Sequence, residues 1–432
     1  MSRTMKDSGI PWIGEIPSHW RLYQTSTLFH EHKEKNNGLK EKNLLSLSYG
    51  QIRRKDINSS EGLLPQSFEA YNIIDKGDIV FRLTDLQNDK RSLRTGLCQE
   101  RGIITSAYVS LRANTEIDSR YFHYIYHSYD ICKVFYGMGG GVRQGMNYDD
   151  LKKLLVFLPP IPEQKSIADF LDKKCGEIDE MISLQEKIVE ELKAYKQAVI
   201  TEAACKGLNP DVLMKDSGIE WIGQIPEGWR AKRLKFSCEV FGRIGFRGYT
   251  TDDIVADGEG AITLSPSNMK EMTMDFSKRT YLSWNKYNES PEIMVYEGDV
   301  LMVKTGSSYG KCSYVDYLPI ESTINPQIVV FKNHKDNAKY IAYYFQTPMA
   351  LAYIKTSVVG GTIPTIAQEK IMNYYFAFPP REEQNAIVDY LDTKCTEIDA
   401  LVSLKQSKID ALKEYKKSII YEYITGKKEI NG

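Results

Sequence analysis

Residues 5–20, MKDSGIPWIGEIPSHW, return at 214–229 as MKDSGIEWIGQIPEGW, with twelve of sixteen positions identical at an offset of 209. A second pair follows. Residues 159–202, opening PPIPEQKSIADFLDKKCGEIDEMISL, match 379–422, opening PPREEQNAIVDYLDTKCTEIDALVSL, at 21 of 44 positions and an offset of 220. Two repeated segments in the same order mean an internal duplication, and whatever one copy folds into must be possible twice. The offset grows from 209 to 220, so the second copy carries about eleven more residues between its repeated segments. The blocks between them, 21–158 and 230–378, differ in sequence. A length of 432 residues suits two domains with connecting elements.

The PPxxEQ segments predict long helices. Proline is tolerated in a first helical turn, and nothing later breaks the run. Steps of four and three from Ile167 reach Leu171, Lys174, Ile178, Met181, Gln185, Ile188, Leu192, Tyr195 and Val199. This is a heptad stripe, repeated in the second copy by Ile387, Leu391, Ile398, Leu401, Leu412, Tyr415 and Ile419, with lysines at 394, 405 and 408. About 45 residues per helix correspond to roughly 67 Å, longer than a domain of ~140 residues is wide, so the two stripes are expected to pack on each other or on a partner. Stop signals follow at Gly207 and Pro210, and at Gly426.

Both blocks share a grammar. YNIIDKGDIVFRL and EIMVYEGDVLMVKTG each read as a strand, a Gly-Asp turn (Gly77-Asp78, Gly298-Asp299) and another strand. Apolar segments IITSAYVSLR and TINPQIVVFK follow, then the helices DSRYFHYIYHSYDICKVF and DNAKYIAYYFQTPMALAYI, then glycines, then an alternating strand, LLVFLPP or YYFAFPP. Within this shared order the loops diverge: FRLTDLQNDKRSLRTG faces VKTGSSYGKCS, and GGGVRQG faces VGGTIPT. Glycine-rich loops carrying Arg, Lys, Gln, Ser, Thr and Tyr suit DNA, because Arg forks onto guanine, Gln pairs with adenine and freed amides approach phosphate. The candidate DNA contacts are Arg82, Gln87, Lys90, Arg91, Arg94, Arg143 and Gln144 in the first block, and Lys304, Ser307, Tyr309, Lys311 and Thr362 in the second.

Other chemistries find little support. No stretch approaches the ~18 apolar residues of a membrane span, and MSRTMKDSG lacks a signal-peptide core, so a cytoplasmic location is expected. Seven cysteines without CxxC spacing read as reduced thiols, with Cys175 and Cys395 in matching packing positions. There is no GxxxxGK[ST] loop, GxGxxG fingerprint or GxSxG motif. Asn325-Pro326-Gln327-Ile328 lacks the second proline and aromatic of an amino-methyltransferase motif and reads as the start of a strand. His123 and His127, spaced i, i+4 without a third ligand, read as core or surface histidines. Trp12, Trp20, Trp221 and Trp229 are expected to anchor the repeated line on its block, and Glu163, Gln164, Glu383 and Gln384 are candidate exposed docking points for partners. A net charge of −1 means that any positive DNA-binding surface is local or shared with partners.

The line MKDSGIxWIGxIPxxW heading each half, the GD turn, PPxxEQ opening each long helix and the joining stretch LNPDVLMKDSGIEWIG together resemble the specificity subunits of type I restriction–modification systems over nearly the whole chain. GGGVRQG against VGGTIPT leaves the loop contacts open. The resemblance implies an α/β fold: two mixed α/β target-recognition domains separated by two long antiparallel coiled-coil helices, with pseudo-two-fold symmetry. Expected boundaries are 1–158 and 207–378 for the recognition domains and 159–206 and 379–426 for the spacer helices. Each domain would read one half of a split site in double-stranded DNA. The subunit would have no catalytic residues, metal or cofactor of its own, and would recruit two methyltransferase subunits using S-adenosylmethionine and restriction/translocase subunits using ATP and Mg. The alternatives are a stand-alone sequence-specific DNA-binding regulator, disfavoured by the near-neutral charge, and a protein scaffold.

Overall fold

A computed structural model describes residues 3–57, 65, 67–86, 93–138, 145–243, 245–358 and 364–430. The chain divides into two compact units, Met1–Glu186 with Gln406–Gly432, and Lys187–Lys405. Each unit holds one block and part of each of two long helices, Ile161–Lys206 and Arg381–Ile424, of 46 and 44 residues.

In the first unit the repeated line folds into a small hairpin, Met5–Asp7 on Glu15–Pro17. The block contains a four-stranded sheet in the order Thr95–Leu97, Ile79–Phe81, Val109–Ala113, Phe29–Glu31, and a three-stranded sheet in the order Gly102–Ile104, Asn72–Ile74, Glu34–Lys35. The helix Ser119–Ile131 covers the first sheet, and the strand Leu155–Leu158 pairs antiparallel with Arg21–Gln24 just before the long helix begins. The second unit repeats the plan. Its hairpin is Met214–Asp216 on Gln224–Pro226, and Tyr375–Phe378 pairs with Arg230–Arg233. Its two sheets run Glu239–Gly242, Ile328–Lys332, Val300–Val303, Cys312–Tyr314, and Ile254–Val255, Tyr281–Ser283, Gly260–Leu264, Ser322–Ile324, Met294–Val295.

The Gly-Asp turn joins the two sheets of a block. Gly77 and Gly298 adopt φ of +96° and +95°, which favours glycine. The buried Asp78 and Asp299 carboxylates accept the backbone N–H groups of Asp75 and Tyr296, at 2.8 and 2.9 Å. A cation from the next sheet strand completes each: Arg112 lies 2.7 Å from Asp78, and Lys332 lies 3.7 Å from Asp299.

Within each unit the long helices lie side by side in opposite directions. Asp179 meets Lys416 at 2.6 Å and Glu186 meets Lys413 at 3.5 Å in the first unit, and Lys196 meets Asp399 at 2.8 Å in the second. The covered stripe is shifted from the one expected. Ile167, Leu171, Ile178, Gln185 and Val199 are buried as the heptad requires. Between them, however, the buried positions are Cys175, Ile182 and Val189, one residue beyond Lys174, Met181 and Ile188. Met181 and Tyr195 are exposed, as are Leu401 and Tyr415 in the other helix. Two apolar stripes about 100° apart both fit a seven-residue repeat, and only the neighbouring surface selects one. The matched Cys175 and Cys395 lie on the covered stripe, and all seven cysteines are free.

Two further expectations change. The apolar segment 336–354 is two helices, Ala338–Phe345 and Pro348–Thr356, because Pro348 cannot continue the first and Thr347 caps the second. Gln164 and Gln384 are not exposed docking points but buried pins at the helix starts. Gln164 accepts from the Asp118 N–H at 3.0 Å and donates to Pro159 O at 2.8 Å. Gln384 accepts from the Asn337 N–H at 2.7 Å and donates to Pro379 O at 2.9 Å. Glu163 is engaged by Arg3, His19 and the Trp20 indole, and Glu383 is half-buried. Trp20 and Trp229 are fully buried anchors, while Trp12 and Trp221 pack edge-on to Tyr129 and flat on Tyr353. At the end of the second long helix Gly426 has φ of +69°, and a Cβ there would collide with Pro17 and Trp20.

Candidate nucleic-acid interface

In the second block the strand Val300–Val303 runs into Lys304-Thr305-Gly306-Ser307-Ser308-Tyr309-Gly310. The loop is held by its backbone. Lys304 N donates to Gln327 O at 2.8 Å, Gly306 N to Pro364 O at 3.0 Å, and Ile366 N to Lys304 O at 2.9 Å. Gly306 and Gly310 take φ of +104° and +81°, allowing the chain to turn out and back. Ser307 is exposed, Tyr309 is half-buried against the core, and Lys311 Nζ lies 3.5 Å from Pro266 O.

Lys304 is the unusual member. Its side chain is half-buried, and burial pulls its pKa down from the ordinary lysine value. Among the described residues its ammonium makes no hydrogen bond or ion pair. The bare Cα of Gly242 makes room for it, since a Cβ there would stand 3.2 Å from both Lys304 Nζ and Gln368 Oε1. A desolvated cation without an internal partner is unfavourable unless an external anion approaches. Two neighbours, Gln327 and Gln368, carry no local signal in the sequence that would mark them. Gln327 is exposed beside Gly306, 3.7 Å from where a Cβ would sit, and Gln368 donates to Val240 O. Asn325 closes a turn by accepting the Gln327 N–H at 3.0 Å, so the NPQI stretch does start a strand.

Arg243 was also missed, although the spacing of glycines in GRIGFRGY could have marked this loop. It is buried, and its guanidinium donates to Ile324 O and Thr323 Oγ1 at 3.1 Å and to Arg247 O at 3.3 Å, fixing the loop from beneath.

The first block builds the same frame with other side chains. Met146 N donates to Leu83 O at 2.9 Å, the bond that Ile366 makes to Lys304, so Leu83 occupies the Lys304 position. Arg82 is half-buried, with its N–H on Arg94 O at 2.8 Å. Arg94 departs from expectation. It is fully buried, donates to Thr84 O at 2.9 Å and Asp85 O at 3.3 Å, and lies over the Tyr136 ring at 5.9 Å. It therefore holds the base of the loop and does not face DNA. Gln87, Lys90, Arg91, Arg143, Gln144 and Thr362 lie outside the described residues.

His123 and His127 are half-buried and line the space between the helix Ser119–Ile131 and the long helices of the first unit. Burial pushes their pKa values down to about 4 and about 3, and neither belongs to a set of three metal-ligand atoms among the described residues. The one such set, His32, Asp75 and Asp78, has both carboxylates already paired with Arg112 at 2.7 Å. No helix among the described residues is long and apolar enough to cross a membrane.

Residues 35–194 and 274–414 match the family model described as the type I restriction modification DNA specificity domain. The type I restriction enzyme MjaVIII specificity subunit of Methanocaldococcus jannaschii is 24% identical over 337 residues, covering 76% of this chain and 75% of the relative. The putative MjaX specificity subunit of the same organism is 24% identical over 437 residues, covering 96% and 95%. A chain solved in work on complex assembly and conformational transition of the type I R-M system shares the fold, with a TM-score of 0.70 at 16% identity over 95% of this chain and 98% of that one. The chain belongs to the type I restriction–modification DNA specificity family, the non-catalytic subunits that give these systems their DNA specificity.

Proposed function

We propose that each block reads one half of a bipartite site in double-stranded DNA, that the paired helices set the distance between the halves, and that catalysis belongs to recruited subunits. The observation carrying this reading is the shared frame with exchanged side chains. The loops after Phe81 and Val303 are pinned by the same backbone bond, yet at that position one turns Leu83 into its core and the other holds the half-buried cation of Lys304. A duplicated scaffold with different contact residues suits a site whose halves differ in sequence. In the second block Lys304, Ser307, Gln327 and Lys311 are the contacts, with Tyr309 supporting the loop. In the first, Arg82, Gln87, Lys90, Arg91, Arg143 and Gln144 carry the reading, as Thr362 does in the second.

The exposed apolar residues of the helices support the partners. Met181, Leu184 and Tyr415 are 43%, 55% and 55% exposed in the first unit, and Leu401, Leu404 and Tyr195 are 45%, 63% and 56% exposed in the second. The two sets correspond through the 220-residue offset. Two equivalent apolar sets suit two copies of one partner, the methyltransferase subunit, which would bring S-adenosylmethionine. Restriction/translocase subunits with ATP and Mg would join through that assembly in the cytoplasm. Mapping of methylated adenines in cells carrying this chain with its methyltransferase tests the reading. A bipartite motif is expected, and replacing 21–158 should change one half of it only. A motif that is continuous, or that changes in both halves, overturns the reading.

A further inference from the structure

Each block extends a two-stranded hairpin toward the long helices of its own unit. Leu45–Ser48 with Gln51–Arg54 follows Leu44, which bridges in parallel to Ile103. Met269–Lys270 with Thr273–Met274 follows Gly260–Leu264, which pairs in parallel with Ser322–Ile324. The two hairpins therefore occupy equivalent places. Both tips hold a non-glycine residue in the left-handed region, Tyr49 at φ +48° and Glu271 at φ +43°. Such residues are disfavoured there, and Asn or Gly would fit the backbone better.

In the second unit the strained tip makes a bond. Glu271 Oε2 lies 2.6 Å from Lys196 Nζ, and the same ammonium lies 2.8 Å from Asp399 on the other long helix. The Lys196 side chain is only 13% exposed, whereas that of Glu271 is 69% exposed. In the first unit the equivalent Lys416 bonds Asp179 but, among the described residues, no group of its block's hairpin, and Tyr49 is 80% exposed. The spaces beneath the tips differ accordingly: about 520 Å³ in the second unit and about 950 Å³ in the first.

We propose that Glu271 is a positioning residue: through Lys196 it ties the second recognition block to the paired helices and so fixes the spacing at which the second half-site is read. The proposal rests on the bipartite reading above. An ion pair this exposed on one side adds little to folding stability, so its consequence falls on orientation. The first block meets its long helix elsewhere, through Arg120 with Asp169 and Asp172 and through Tyr124 with Asp172, and among the described residues its hairpin tip makes no ion pair with the helices.

The test uses the full chain assembled with its methyltransferase subunits, on duplexes that keep both half-sites and vary the spacer by one or two base pairs. Glu271→Asn suits the turn but is too short to reach Lys196; Glu271→Gln removes the charge alone; Lys196→Arg keeps it. The two Glu271 variants are expected to accept a spacer one base pair off about tenfold better relative to the native spacer. Discrimination against mismatched half-sites should stay unchanged, melting should occur at or above the wild-type temperature for Glu271→Asn, and Lys196→Arg should behave as wild type. Unchanged spacer discrimination in both Glu271 variants overturns the proposal. So does a loss of half-site discrimination accompanied by a lower melting temperature, which would mark a merely structural role. A wild-type assembly indifferent to the second half-site would instead sink the bipartite reading, a result that no Glu271 variant can imitate.

Discussion

Lys416 Nζ lies 2.6 and 2.7 Å from the two carboxylate oxygens of Asp179, and the duplication repeats the pair as Lys196 with Asp399, at 2.9 and 2.8 Å. Each pair joins the two long helices within its own unit, and each lysine sits on the covered stripe, with its ammonium reaching the edge. A helix from one copy thus serves the unit built on the other copy's block. The same exchange appears at Tyr121 and Tyr340, whose hydroxyls donate to Ile424 O at 3.1 Å and Ala204 O at 2.9 Å.

Reversing one of these ion pairs tests the packing of the helices. Asp179→Lys places two cations together and should lower stability by about 1 kcal/mol. Asp179→Lys with Lys416→Asp should recover most of it. Denaturant midpoints of the four proteins of that cycle give the coupling directly. Equal losses in the single and double variants would show that the two groups do not interact in solution.

Lys304→Met should leave stability unchanged or slightly higher, because it removes a half-buried charge that has no partner among the described residues. It should weaken DNA binding by about 1–3 kcal/mol if Lys304 meets a base edge, or reduce the salt slope by about one if it meets a phosphate. Arg94→Met should behave in the opposite way, lowering the melting temperature because the part-buried carbonyls of Thr84 and Asp85 lose their donor. Binding titrations at two salt concentrations and thermal melts separate the two cases.

Acid should destabilise the first unit through its histidines. Burial lowers the folded pKa of His123 to about 4 and of His127 to about 3, so below the usual value of 6.5 the unfolded chain binds more protons than the folded one. Stability is therefore full above about pH 6.5 and falls as pH drops toward 4 and then 3, by up to a few kcal/mol. His127→Gln, the residue found at the matching Gln346, should flatten part of this slope. Urea midpoints measured between pH 7 and 4.5 report it, and parallel slopes for wild type and variant would contradict it.

Gln164→Ala and Gln384→Ala should each cost about 2–4 kcal/mol. The first removes two bonds and the second three, since Gln384 also donates to Asp336 at 2.8 Å, and each strands a backbone N–H and a carbonyl at the junction of block and helix. Chemical denaturation measures the loss, and the loss of one such pin should leave DNA specificity intact wherever the protein remains folded.

The duplication, the two long helices, the Gly-Asp turns and the tryptophan anchors were legible in the sequence, because each rests on local chemistry: a repeat, a period, a positive φ, an apolar ring. The choice between two apolar stripes one residue apart was not, since both fit the heptad and only the opposing helix covers one of them. Arg94 read as a DNA contact because composition marks a cation but not its depth; the carbonyls of Thr84 and Asp85 that claim it are set by the loop's tertiary path. Gln164 looked like surface for the same reason. The tie between Glu271 and Lys196 joins residues 75 positions apart, and its absence in the first unit follows from a tyrosine at the equivalent tip. Sequence fixes periods and turn geometry residue by residue, but which side chains meet, and which charge is left without a partner, is decided by the packing of distant segments.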